Sequence, residues 1–345
     1  MADYTAIDNP EEYFQPVIWT GDGEDSRAIS LSNTDANTDQ DLVWIKIRTQ
    51  AYSHSFFDST RGVTQWLSPN ETGTEESSPS QGFLTSFDTD GFTVEDGSSS
   101  PGLGNVNKDG DTYVAWCWKE SATAGFDIVA YTGDGSARNI SHSLSALPHR
   151  IIIKARDRSG PDWITFGDKI HTTPHDAIIK LNNTTALNTG LDSSWFNDTN
   201  PTSSVFTVGT QGDLNADGST YMAYLWTSIQ GFSRLGSYTG GNDPFVYLGF
   251  RPAFILFKNA GATENWRIID NKRDPHNPAV AHIYPNLNNA EGSGASYDDY
   301  CDFLSNGFKI RSGSGEVDGS GQTITYMAFA ESPFVNSEGV PNNAR

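Results

Sequence analysis

The stretch Val106–Lys119, "VNKDGDTYVAWCWK", decides the fold. Its apolar part alternates with period two. Tyr113, Ala115 and Cys117 share one face; Val114, Trp116 and Trp118 share the other. An apolar run on both faces suits a strand in the middle of a sandwich. The Asp109-Gly110 pair before it is a hairpin signal. The same shape returns as "LNADGSTYMAYLWT" at Leu214–Thr227 and, degraded, as "VDGSGQTITYMAFAE" at Val317–Glu331. Its Tyr-x-Ala-aromatic core falls at Tyr113, Tyr221 and Tyr326, separated by 108 and 105 residues.

Other phrases recur in the same order. "WTGDG" at Trp19 returns as "YTGDG" at Tyr131 and "YTGGN" at Tyr238. "DLVWIKIR" at Asp41 returns as "HRIIIKAR" at His149 and "PAFILFKN" at Pro252. An aromatic strand then ends near Asp58, Asp168 or Asp270. This period exceeds the roughly 20–50 residues of a solenoid repeat, so each copy is expected to be a domain with its own core. The predicted fold is all-β: three tandem antiparallel β-sandwich repeats, jelly-roll or lectin-like, at residues 17–125, 126–235 and 236–345. Residues 1–16 read as an N-terminal anchoring arm.

Composition agrees. Hydrophobic residues are only 36% while aromatics reach 12%, with 33 Gly, which favours short strands and many turns. The net charge of -21 offers no basic footprint for phosphate, so no nucleic-acid partner is expected. The opening "MADYTAIDNPEEYF" lacks a basic segment followed by an apolar run, so no signal peptide is read. No apolar run approaches the roughly 18 residues of a membrane helix, and no membrane insertion is expected. Cys117 and Cys301 read as free, buried thiols.

Catalytic patterns are sparse. Asn107, Asp109 and Asp111 alternate as in a Ca2+ loop, but the copies keep only Asn215 and Asp217, then Asp318. A hairpin turn is the better reading, and no cofactor is expected, with Ca2+ as the weaker alternative. A glycosidase needs two carboxylates about 5–10 Å apart. One recurring Asp per copy reads instead as a structural turn, and no catalytic residue is assigned. His171 and His175 flank Pro174, which breaks any metal-binding helix. The variable loops, rich in Asn, Ser and Thr, carry isolated rings. Trp66, Trp195 and Phe196 are the glycan- or receptor-binding candidates, because sugars use aromatic faces with amide hydrogen bonders.

Laid out this way, "WTGDG", "LVWIKIR", "FFDSTRGVTQWLSPN", "FDTDGFTV" and "NKDGDTYVAWCWK" resemble one copy of a repeat family common in marine bacteriophages. "RDPHNPAVAHIYPNL", "DFLSNGFKIR" and "YMAFAESPF" resemble that family's terminal copy. The usual "GLG" segment is replaced by "SLSNTDANTDQ" and "SLSALP". The resemblance implies a non-enzymatic virion structural protein, tail-associated and sometimes lectin-like. On this reading the chain is a tail fibre or receptor-binding component located in the virion, and binds a host-surface glycan or protein. The arm would contact other virion proteins, and a homo-oligomer, such as a trimer, would display the units. A head fibre, decoration or adaptor protein is the alternative, and a polysaccharide depolymerase the weaker one.

Overall fold

The computed structural model describes residues 5–31, 39–77, 79–98, 106–292, 301–311 and 313–343. The chain is all-β, built from antiparallel sheets that recur in pairs. The first third holds β1 (Phe14–Thr20), β2 (Arg27–Ser30), β3 (Leu42–Ile47), β4 (Ser55–Asp58), β5 (Phe83–Asp88), β6 (Gly91–Glu95) and β7 (Thr112–Trp118). The second holds β8 (Phe126–Thr132), β9 (Arg138–Ser141), β10 (Arg150–Ala155), β11 (Ile164–Gly167), β12 (Ala177–Lys180), β13 (Asn188–Thr189), β14 (Val205–Val208) and β15 (Thr220–Trp226). The last holds β16 (Ser233–Thr239), β17 (Phe245–Tyr247), β18 (Phe250–Asn259), β19 (Trp266–Asp270), β20 (Cys301–Leu304), β21 (Gly307–Ile310) and β22 (Thr323–Pro333).

The larger sheets follow one order: β1-β7-β3-β4, then β8-β15-β10-β11 extended by β12 and β13, then β16-β22-β18-β19. Each faces a smaller sheet: β2-β6-β5, β9-β14, or β17-β21-β20. Strand β16 spans the boundary read at 235/236, and β1 starts inside the stretch read as an arm. Thr5 and Ile7 are buried, Thr5 reaches the Gln230 carbonyl and Asp8 binds Ser337, so this segment docks on the body. Residues 1–4 of the expected arm lie outside the described residues.

Side-chain alternation explains the packing. In β7, Tyr113, Ala115 and Cys117 join the core between the two sheets of the first unit. Val114, Trp116 and Trp118 point the other way, into a cluster that also takes Met222, Tyr224 and Trp226 of β15 and Met327 and Phe329 of β22. Thus three clusters of buried side chains lie between paired sheets, and a fourth is shared among them. The units close around one aromatic centre, where Trp118 meets Trp226 at 6.2 Å and Phe254 at 5.7 Å. The body is a ring, with backbone hydrogen bonds at all three seams.

The opening phrase is a clamp. The backbone N–H of Gly23 donates to the Asn107 carbonyl, and that of Gly135 to the Asn215 carbonyl. A Cβ at Gly21, Gly133 or Gly240 would stand 2.1, 2.2 or 2.4 Å from a carbonyl oxygen of the facing loop. Only glycine admits that approach. Asn107 is fully buried and donates to Asp22 and to the Glu24 carbonyl. Asp111 accepts from Thr49 and Gln50, while Asp109 is exposed. Among the described residues no three His, Cys, Asp or Glu side chains converge on a metal position.

Candidate functional site

The three junctions of the ring are built alike at the backbone. The N–H groups of Glu75, Leu187 and Glu291 each donate to the next unit, at the carbonyls of Arg156, Ala260 and Arg48. Trp163 donates to Ser68 and Glu71 carbonyls, Trp266 to the Lys180 carbonyl, and His54 faces the Tyr284 carbonyl. Lys46, Lys154 and Lys258 are fully buried at equivalent places in the "WIK", "IIK" and "LFK" strands and donate to backbone carbonyls. Burial holds their ammonium groups down, Lys46 to about 7 and the other two to about 8.

The side chains, however, divide the junctions into two kinds. Asp58 lies opposite Leu42 in the sheet, and Asp270 opposite Phe254. Both are fully buried. Arg61 Nε donates to Asp58 at 2.6 Å, and Arg273 Nε to Asp270 at 2.6 Å. The next unit completes each pair: Tyr224 donates to Asp58 at 2.7 Å and Trp116 to Asp270 at 2.9 Å. Glu75 and Glu291 then grip Arg156 and Arg48 through two hydrogen bonds each. Asp58 and Asp270 thus tie one unit to the next.

The junction between the second and third units lacks every part of this lock. The residue opposite Arg150 is Gly167, so the phrase-based match to Asp168 is one residue out. Ile170 stands where Arg61 and Arg273 stand, Leu187 replaces the glutamate, and Met327 replaces the Trp116 or Tyr224 donor. Arg150 turns its guanidinium over Gly167, where a Cβ would sit 2.8 Å from Nη1. Its Nε and Nη1 have no hydrogen-bond partner, and neither has either oxygen of the Asp168 carboxylate. Lys169 Nζ lies 2.9 Å and His149 Nε2 3.7 Å from Asp168, close enough for charge attraction but off hydrogen-bond geometry. Across this boundary Phe232, just ahead of β16, meets Phe329 edge-on at 6.0 Å.

A cleft of about 700 Å3 opens beside this junction. One wall carries His149 and Lys169; the other is edge strand β16 with Arg234, Gly236 and Ser237, closed by Tyr326, Tyr247 and Phe334. Register explains the space. In the first two units Val17 faces Ala115 and Val129 faces Ala223, but here Gly236 faces Tyr326. The third phrase has slipped: Ile324, not Tyr326, occupies the place of Tyr113 and Tyr221. A slip of two keeps the ring on the same face but moves it along the strand, against the missing side chain of Gly236. The Tyr326 hydroxyl bonds with Arg234, and no carboxylate among the described residues pairs with that arginine.

The cleft is poor in general bases. His149 Nδ1 accepts from the Ser228 N–H at 3.0 Å and lies 2.8 Å from the Thr227 hydroxyl. Burial holds the imidazole below its usual range despite Asp168. Its acceptor nitrogen is already engaged, and Thr227 is buried away from any substrate. Elsewhere, burial and Asp127 push Glu120 up to about 8. That pair is hydrogen-bonded to itself, unlike the separated carboxylates of a glycosidase.

The sequence candidates lie elsewhere. Trp66 is 1% and Phe196 3% exposed, both in the cores of their units, so neither is a surface platform. Trp66 borders a smaller cavity of about 200 Å3 together with Tyr52 and Glu71. Trp195 is half-buried against the second core. Of the third variable loop, residues 293–300 lie outside the described residues.

A family model described as a domain of unknown function, DUF7483, matches residues 9–333. The chain belongs to this family. No curated protein matches it. The DUF7483 match runs from the docked N-terminal segment to the last residue of β22, so the family domain takes in all three units together. The cleft is a feature inside the DUF7483 domain, at the one junction where the phrases of the repeat depart from each other.

Proposed function

We propose that the protein is a non-enzymatic virion component, a tail fibre or receptor-binding part that attaches to the host surface. The observation that carries this reading is the division among the junctions. Two are sealed by buried ion pairs, and the third, which has no such pair among the described residues, adjoins a cleft. Asp58 and Asp270 are engaged in holding the ring closed, which fits a scaffold. The resemblance to phage repeat proteins supports the virion setting, with other virion proteins and a host glycan or protein as partners. Particle contact through the N-terminal segment would use residues outside the docked Thr5–Tyr13 stretch. Repeated display on a particle, for example in a homotrimer, would raise avidity over a single weak contact.

Labelling of particles with antibodies raised against the purified protein tests the setting, and label on the head would favour the decoration or adaptor alternative. Competition tests attachment: the purified protein is expected to reduce particle adsorption to host cells. Absence of label on any particle would remove the virion reading, and undiminished adsorption the attachment reading. Release of oligosaccharides from host polysaccharide by the purified protein would replace both with the depolymerase alternative.

A further inference from the structure

We infer that the cleft between the second and third units binds an acidic sugar residue, a uronate or similar carboxylated saccharide. The inference deepens the attachment reading and rests on it for the choice of a saccharide. The volume of about 700 Å3 lies in the range of ordinary ligand sites, roughly 300–1,000 Å3. Its charge runs against that of the molecule. The chain carries a formal charge of -21, yet Arg234 and Lys169 reach into this cleft. Asp168 offsets part of the Lys169 charge, and His149 is held neutral by burial, so Arg234 is the principal unpaired cation. A planar carboxylate matches the arginine fork.

The apolar side sets the rest of the ligand. Tyr247 on edge strand β17 is 52% exposed, and Phe334 and Val335 continue its surface. A pyranose ring offers a C–H face to such an aromatic and hydroxyls to the Ser228, Ser237 and Tyr326 side of the cleft. The cleft has room at Gly236, which stands where the other two units carry Val17 and Val129. It opens beside the one junction, among the described residues, where Gly167, Ile170, Leu187 and Met327 replace the parts of the lock.

Calorimetry on the full chain, with a hexamer of uronic acids against maltohexaose, tests this. The uronate hexamer should bind at least tenfold more tightly than maltohexaose, and its binding should weaken on raising salt from 50 to 500 mM. Arg234→Ala and Tyr247→Ala should each weaken it at least tenfold while thermal melting stays within about 3 °C of the parent. Phe245→Ala, which removes an equally exposed ring outside the cleft, should leave it unchanged. Equal binding of the neutral hexamer, binding of neither, or loss in Trp195→Ala with none in the cleft variants would each overturn the assignment. Adsorption separates the two levels. If both cleft variants compete with particles as well as the parent, the cleft is wrong and attachment stands. If the uronate binds in the cleft but the parent does not compete, attachment is wrong and the cleft stands.

Discussion

The junction locks make a sharp comparison between two aspartates that the sequence presents as equivalents. Asp270 is fully buried and accepts four hydrogen bonds: from the Lys272 and Arg273 N–H groups, from Arg273 Nε at 2.6 Å and from Trp116 Nε1 at 2.9 Å. Asp270→Ala leaves a guanidinium in the interior with Glu291, the Ile268 carbonyl and the face of Trp116 to balance it. Removing one partner of a buried pair costs about 3–5 kcal/mol. At about 2.1 cal/mol/K per residue, unfolding of this chain has an entropy near 0.7 kcal/mol/K, so melting should fall by about 4–7 °C. Asp168→Ala should behave differently. That carboxylate makes no hydrogen bond, is desolvated, and has Lys169, His149 and the Arg150 guanidinium near it without hydrogen-bond geometry to any of them. Its removal should change stability by less than about 1 kcal/mol, and melting by less than about 1.5 °C. Differential scanning calorimetry of both variants with the parent is sufficient. A loss for Asp168→Ala as large as that for Asp270→Ala would refute the claim that this junction lacks the lock.

Three further outcomes are expected. Folding holds Lys46 down to about 7 from 10.5, so between those values the unfolded chain binds the extra proton and stability rises with pH. From pH 7.5 to 8.5 the parent should gain on Lys46→Met by about 1 kcal/mol in urea unfolding, and a gap moving the other way would count against neutral burial of the lysine. Gly133→Ala places a Cβ about 2.2 Å from the Ala216 oxygen and should cost at least about 2 kcal/mol by the same measurement; an unchanged midpoint would mean that the clamp loops yield freely. Trp66→Ala should lower stability by about 3–5 kcal/mol, as a core cavity does, and a stable variant that loses only ligand binding would restore Trp66 as a surface contact.

The strands were legible because side-chain period is local. Tyr113 to Trp118 announced a strand, and the recurrence of its phrase announced the units. The same stretch also contained the shared core. Val114, Trp116 and Trp118 are too large and too apolar for a face met only by solvent, yet an apolar second face says that something covers it and not what. The variable-loop rings misled for a related reason: composition around Trp66 and Phe196 is polar, but each ring folds back beneath its loop. The cleft was least legible. It goes with a two-residue slip at Tyr326 against the bare Gly236, masked by a phrase that still matches and meaningful only beside Val17 and Val129. The missing lock was hidden in the same way, by a one-residue shift at Asp168.

Closure of three similar thirds within one polypeptide has a consequence of its own. An assembly of identical subunits must accept the same contact at every seam, because one gene encodes them all. Here each seam has separate codons. Two can stay fixed for strength while the third drifts, and a change of recognition need not be bought with loss of the ring.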